Sequence, residues 1–340
     1  MLRLPAFELQ QPSSLLEVLS ILASAGPSAK VLAGGTDLLP NMKHELFTPA
    51  VVVSLGRVAE LRGIRRADDG ALEIGAMTPL SEVAASELVH QQAPALAQAA
   101  SLVAGPQLRR RGTLGGNVLL DTRCKYYNQT HFWRSALGFC LKKDGTVCHV
   151  VAGGARCVAA ASADTAPALL TLGAGLRIEG PGGGRSVALD DFFVSDGIQN
   201  TRLGAGEILV SVRVPATAPG HRGAYGKLRE RGSIDFPQLG VAVRLDLDPD
   251  GRVADADVVL TALAARPRRL NGAAALLRGA ASQGPEIQAA ARVVADLAGR
   301  QCRTLPNIPG DHEWRGEMVR VYTRRTLLAA AEGGGPIHHV

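Results

Sequence analysis

Two short segments constrain the N-terminal half of this chain more than anything else in it: Ala33-Gly34-Gly35-Thr36-Asp37 and Thr113-Leu114-Gly115-Gly116-Asn117. Each joins a glycine pair to side chains that form hydrogen bonds. Paired glycines admit positive φ and let the backbone approach another group closely. A helix starting just after such a turn offers unpaired N–H groups and a positive dipole end to a phosphate. Thr36, Thr113 and Asn117 would add side-chain hydrogen bonds. One Gly-Gly turn alone reads as a tight connection; two in one half bring the phosphate-cradling reading level with it. Neither is the G-x-G-x-x-G fingerprint, so a nicotinamide Rossmann site is not supported. Arg109-Arg110-Arg111, just before the second segment, reads as a solvated basic face.

The hydrophobic pattern around these turns predicts an α+β fold of short elements rather than the regular alternation of a doubly wound sheet. Phe7 to Leu9 is a short strand. Ser13 or Ser14 caps a helix whose apolar face is Leu15, Val18, Leu19 and Leu22. Gly26-Pro27 stops it, and Lys30 to Ala33 is a strand running into the first glycine turn, with a helix over Leu38 to Lys43. Strands are expected at Val51–Ser54, Leu72–Ile74, Ile208–Val214 and Leu239–Leu247. Helices are expected near Leu80–Ala85, Pro94–Val103 and Ala166–Leu172, with a long Ala-rich helical pattern over Asn271–Gly299 and a last helix over Met318–Ala331. The tail Gly333-Gly334-Gly335-Pro336 is expected to fray. At 340 residues the chain suits two or three subdomains.

Acidic and basic residues are interspersed despite a net charge of +6, so the footprint of a nucleic-acid binder is absent. No apolar run is long enough for a membrane span, and the first apolar stretch, Leu15 to Ala23, carries Glu17 and lacks a basic flank, which makes a poor signal peptide. A cytoplasmic location is expected, where cysteines serve metals or chemistry more often than disulfides.

Four of the five cysteines, Cys124, Cys140, Cys148 and Cys157, fall in an unusual stretch over residues 121–160. No C-x₂₋₄-C knuckle of the kind zinc sites use is present. Four thiolates from a wide loop suit a [4Fe–4S] cluster, which takes one ligand per iron; zinc and unligated thiols remain open on spacing alone. The stretch holds Tyr126, Tyr127, Phe132, Trp133 and Phe139, five of the chain's thirteen aromatics, which would shield cluster sulfurs from water. Arg123, Lys125, Arg134, Lys142, Lys143 and Arg156 stand against Asp121 and Asp144, a surplus of four positive charges. That surplus would offset an anionic cluster or steer an acidic electron carrier, unless it is simply a solvated loop surface. Cys302, among Arg300, Gln301 and Arg303, reads as a buried or incidental thiol.

At these residues the chain resembles the FAD-binding medium subunits of the xanthine dehydrogenase and carbon monoxide dehydrogenase family. Val31-Leu32-Ala33-Gly34-Gly35-Thr36-Asp37-Leu38 is similar to the family's first flavin loop and Thr113-Leu114-Gly115-Gly116-Asn117 to its second. Asp164-Thr165-Ala166-Pro167-Ala168-Leu169-Leu170 resembles the stretch whose aspartate contacts flavin. Further similar stretches are Gly206-Glu207-Ile208-Leu209, Tyr225-Gly226-Lys227 with Asp235-Phe236, and Arg324-Arg325-Thr326-Leu327. Ordinary members keep the second loop and the aspartate close in sequence. Here the four cysteines intervene, as in one branch, the β subunit of 4-hydroxybenzoyl-CoA reductase, whose flavin domain carries an added [4Fe–4S] cluster.

The resemblance implies a two-part FAD-binding domain of the vanillyl-alcohol oxidase/PCMH type, residues 1–57 and 58–215, with the iron–sulfur insertion at 121–160. A C-terminal α+β domain follows at 216–340. Cofactor contacts are expected from the eight residues of the first loop, from Val103, from the five of the second loop, and from Asp164, Ile208, Leu209 and Lys227. Cys124, Cys140, Cys148 and Cys157 would bind iron, and no residue of this chain need act as catalyst. Expected partners are a large molybdopterin subunit and a small subunit with two [2Fe–2S] clusters, as a dimer of heterotrimers, and ferredoxin as donor for reductive dehydroxylation to benzoyl-CoA in aromatic degradation. A conventional molybdenum hydroxylase passing electrons to NAD or a quinone is the competing reading. A zinc-stapled, non-catalytic binding module is a third.

Overall fold

Ser14 Oγ accepts the Glu17 N–H at 3.3 Å, and the Glu17 carboxylate reaches back to the Ser13 N–H at 2.7 Å, the reciprocal logic of a capping box. The helix Leu15–Ala25 started this way buries Val18 and Leu22 and ends at Gly26, φ +55°. It packs beside a small parallel sheet of β1 (Glu8–Gln10), β2 (Ala29–Leu32) and β3 (Val51–Ser54) in the order β1-β3-β2. Strand β2 delivers the chain into the first glycine turn, and Leu38–Lys43 follows as a helix of six residues. These details come from a computed structural model, which describes residues 2–334 and 337.

The second sheet is antiparallel: β4 (Ile64–Arg66), β5 (Leu72–Gly75), β6 (Gly175–Gly180), β7 (Gly183–Ala188) and β8 (Ile208–Val214), in the order β4-β5-β8-β6-β7. Its β5 and central β8 are predicted strands, whereas the β6–β7 hairpin is Gly-rich with little apolar signal. Ile208 and Val210 join Val18, Val53 and Leu61 in a core shared with the first sheet. The helices Pro94–Leu102 and Thr165–Thr171 fill the main core against Leu72, Ile74 and Val212.

A third, antiparallel sheet forms the C-terminal part: β9 (His221–Leu228), β10 (Leu239–Leu247), β11 (Val253–Thr261) and β12 (Arg268–Arg269), in the order β12-β11-β10-β9. One face carries the helices Pro285–Gln301 and His312–Ala331 over Val241, Val243 and Val258. The other face contributes Tyr225, Ala242 and Val259 to the main core. Burial on both faces removes the polar–apolar alternation that marks a half-exposed strand, which is why β9 and β11 left no clear sequence signal. The Ala-rich pattern over Asn271–Gly299 resolves into Ala273–Leu277 and Pro285–Gln301, broken where Gly279 and Gly284 take positive φ. The last helix begins at His312, capped by Asp311, earlier than its apolar periodicity suggested. Gly333 and Gly334 do not fray: their N–H groups bond Ala330 O and Ala329 O and close that helix; Gly335 and Pro336 lie outside the described residues.

Arg269 clamps the third sheet to the flank of the second. Its guanidinium holds Asp257 at 2.6 Å, Asp190 at 2.8 Å and the Leu170 carbonyl at 3.0 Å. Burial pushes the Asp257 carboxyl up to about 6, against the pull of Arg269 and Arg244. A carboxyl whose folded value is raised strains the fold only once it ionises, so Arg269 matters most above that pH. Arg269→Ala should therefore lower the melting temperature on the order of ~3 °C at pH 8 and by less at pH 5, measured by differential scanning fluorimetry at both pH values.

Candidate functional site

A cleft of about 410 Å³ opens where the first sheet, the second sheet and the β9–β10 loop meet. The first glycine turn forms one lip. The N–H groups of Gly34, Gly35, Thr36 and Asp37 donate to no acceptor among the described residues, which leaves a row of donors for an anion. The two glycines are required for different reasons. Gly35 has φ +78°, while a Cβ on Gly34 would sit 1.8 Å from the Arg111 carbonyl oxygen. Gly34 thus lets two loops touch, a contact between distant segments that sequence reasoning assigned to ligand approach.

The second turn behaves differently. Its donors are consumed by the fold: Leu114 N–H bonds Thr78 O, Gly115 N–H bonds Ala76 O, Gly116 N–H bonds Thr113 Oγ1, and Asn117 N–H bonds Thr113 O. Asn117 Oδ1 accepts the Thr165 N–H at 3.0 Å and its hydroxyl at 2.7 Å, and so fixes the start of the helix Thr165–Thr171. The turn lines the cleft through Thr113, Gly115, Gly116 and Asn117 but offers it shape more than donors.

Of the other expected residues, Val31, Ala33, Thr36, Asp37, Leu38, Val103, Asp164, Ile208 and Leu209 line the cleft. Leu32, Leu114 and Lys227 do not. Strand alternation turns Leu32 away from the face shared by Val31 and Ala33, and Leu114 is fully buried in the main core. Lys227 is buried behind Asp164: its ammonium donates to Asp164 Oδ2 at 3.0 Å and to Leu102 O at 3.0 Å. Tyr225 donates its hydroxyl to Asp164 Oδ1 at 2.8 Å. Burial pushes the Asp164 carboxyl up, against the pull of Lys227 and Tyr225. The apolar wall adds Leu55, Met77, Leu80 and Leu203, which carry no motif and could not have been singled out. Ile234, Asp235 and Phe236 of the β9–β10 loop complete it.

Beside the cleft, Cys124, Cys140, Cys148 and Cys157 line one small chamber together with Tyr126, Tyr127 and Val150. Burial, with Cys157 and Cys140 adding to it, pushes the Cys124 thiol up to about 11. A thiolate at Cys124 therefore needs a cationic centre beside it to persist. Among the described residues no group of three or more His, Cys, Asp or Glu side chains is arranged to hold a metal ion. A [4Fe–4S] cluster takes one thiolate per iron, and the chamber supplies four thiols. Two expectations for this insertion need correction. Tyr126 and Tyr127 do wall the sulfurs, but Phe132 is 83% exposed and Trp133 lies outside the chamber, with its ring 6.4 Å from that of Tyr126. The positive surplus is not all surface: Arg134 is buried, donating to His44 O and Glu45 O, and Lys142 is buried on Asp121, Thr122 and Gly197 O. Cys302 lies apart in the C-terminal core.

Residues 5–217 match the family described as the FAD binding domain in molybdopterin dehydrogenase, and residues 224–330 match the CO dehydrogenase flavoprotein C-terminal domain. The chain belongs to the FAD-binding medium subunits of the xanthine and carbon monoxide dehydrogenase family. It is 33% identical over 327 residues to the carbon monoxide dehydrogenase medium chain of Hydrogenophaga pseudoflava, covering 96% of this chain and 97% of that one. The aldehyde oxidoreductase FAD-binding subunit of Escherichia coli is 34% identical over 267 residues, 76% of this chain and 82% of the relative. A solved carbon monoxide dehydrogenase from Hydrogenophaga pseudoflava superposes with a TM-score of 0.77 at 32% identity, over 96% and 98% of the two chains. The fold is therefore a FAD-binding domain followed by the family's C-terminal domain, and the chain is an oxidoreductase subunit that binds FAD. No helix among the described residues is long and apolar enough to cross a membrane.

In this family frame two substitutions test the cleft. Asp164→Asn leaves the Lys227 ammonium buried without its counter-charge and should cost about 3 kcal/mol or more of stability, read from the urea midpoint. Gly34→Ala forces the glycine turn off Arg111 and should cut the FAD-to-protein ratio severalfold in protein whose circular dichroism is unchanged.

Proposed function

We propose that this chain is the FAD and iron–sulfur subunit of a heteromeric molybdenum hydroxylase or dehydrogenase. It would assemble with a large molybdopterin subunit and a small subunit bearing two [2Fe–2S] clusters, as a dimer of heterotrimers. The observation that carries the flavin part is the cleft, where four free N–H groups face a pocket walled by both domains. The relatives are named as dehydrogenase and oxidoreductase subunits, which supports electron flow outward to NAD or a quinone.

When bound, FAD and a [4Fe–4S] cluster supply the one- and two-electron chemistry. The residues hold and shield. Gly34 to Asp37 would grip the pyrophosphate through backbone N–H groups, while Leu55, Met77 and Leu209 keep water from the ring. Asp164, fixed by Lys227 and Tyr225, would present a carboxylate oxygen to the flavin. Cys124, Cys140, Cys148 and Cys157 would each ligate one iron. Leu120 lines the cleft and Cys124 the chamber; four residues of chain span at most ~14 Å, so the cleft and the chamber are neighbours. No side chain here is needed as a general acid or base.

A second reading is favoured by the thiol chamber itself. Outward transfer from FAD needs no further centre, so an added cluster suits inward flow from a ferredoxin, as in a 4-hydroxybenzoyl-CoA reductase that removes a phenolic hydroxyl reductively. The test uses the purified complex. Cys140→Ser should abolish cluster absorbance and lower the iron count by about four per chain while FAD is retained; an unchanged iron count would refute the cluster. Flavin reoxidation by NAD or a quinone supports the first reading, and rapid flavin reduction by reduced ferredoxin supports the second.

A further inference from the structure

Three segments far apart in sequence converge on one residue, Arg123. Arg123 Nη1 lies 3.3 Å from Asp37 Oδ1, at the end of the first glycine turn. Its guanidinium carbon stands 3.8 Å from the centre of the Phe236 ring in the β9–β10 loop. Its own backbone exchanges two hydrogen bonds of 2.8 Å with Ala160 at the neck of the insertion, and the next residue is Cys124. Phe236 separates the flavin cleft from a second cavity of about 440 Å³, which Arg123 and Cys124 also line. A planar guanidinium can lie face-on against a ring while its edge pairs with a carboxylate, a fixed geometry that a rotating ammonium does not reproduce.

We propose that Arg123 is a positioning residue that couples the thiol chamber to the flavin cleft, by locking the first cysteine's backbone to the glycine turn and by holding Asp37 as a carboxylate beside the flavin. The coupling half rests on the iron–sulfur reading above; the Asp37 half does not. Burial pushes the Asp37 carboxyl up, Asp121 adds to that push, and Arg123, Asn41 and Lys142 oppose it. Arg123 exerts the largest of these opposing pulls, so its loss should let Asp37 take up a proton nearer neutral pH. A charge at the edge of the cleft would then appear and vanish with pH.

The experiment is a redox titration of the holo-complex between pH 5 and 9, followed optically for the flavin and by electron paramagnetic resonance for iron–sulfur signals. Arg123→Gln should introduce an inflection in the flavin's potential-against-pH curve that the wild type lacks. Combining it with Asp37→Asn should remove that inflection, and Arg123→Lys should restore the wild-type curve only in part. Electron exchange between flavin and cluster, followed by stopped flow, should slow about tenfold in Arg123→Gln. An Arg123→Gln curve of the same shape as the wild type's, with unchanged exchange, would overturn the proposal. Should the wild type contain no cluster iron, the cluster reading fails, yet the flavin curve still decides the Asp37 half. If Arg123→Gln does not assemble, Phe236→Leu and Asp37→Asn each remove one arm. Slower exchange in both is then expected, and wild-type exchange in both would overturn the coupling.

Discussion

The floor of the cleft depends on one buried ion pair. Asp164 comes from the flavin domain and Lys227 from β9 of the C-terminal part, and both side chains are almost wholly withdrawn from solvent. Such a pair is tolerable only where the remaining hydrogen-bonding capacity is satisfied, and here Tyr225 and the Leu102 carbonyl satisfy it. Three elements are held in register as a result: the helix Pro94–Leu102, the start of Thr165–Thr171, and the third sheet. The cleft is thus a product of both domains, and neither alone would present Asp164 at the same place.

The insertion follows the same logic on a smaller scale. Its own core is small, Cys124, Tyr127, Cys140 and Ala159 packed with Leu46, and it is anchored further by buried cations on carbonyl oxygens. Arg134 grips the chain at His44 and Glu45, just after the helix Leu38–Lys43. Lys142 gathers Asp121, Thr122 and the loop at Gly197, and that loop in turn donates the Gly197 N–H to Cys157 O. Charges that sequence composition presents as a field for partners are in part internal fasteners.

What could be read from the sequence, and what could not, divides along physical lines. The first glycine turn was legible because it pairs glycines with a local pattern, the four cysteines stood out by their clustering, and Asp164 could be picked out only through the family resemblance. The strands β9 and β11 were not, because burial on both faces erases alternation. One reason for Gly34 was not legible, since the carbonyl that demands a glycine comes from Arg111, far away in the chain. The second turn was recognisable as a turn, but the assignment of its N–H groups to Ala76, Thr78 and Thr113 is tertiary information. Lys227 was expected at the cofactor and instead stands one layer behind it, as the support of a residue that does line the cleft.

The paired bonds between Arg123 and Ala160 have a topological implication. The polypeptide leaves the flavin scaffold and rejoins it at points separated by a single strand spacing, as in a hairpin. The scaffold therefore sees the same two end points whether a tight turn or a long excursion lies between them. A fold with such a doorway can vary what lies beyond it without re-registering any of its three sheets.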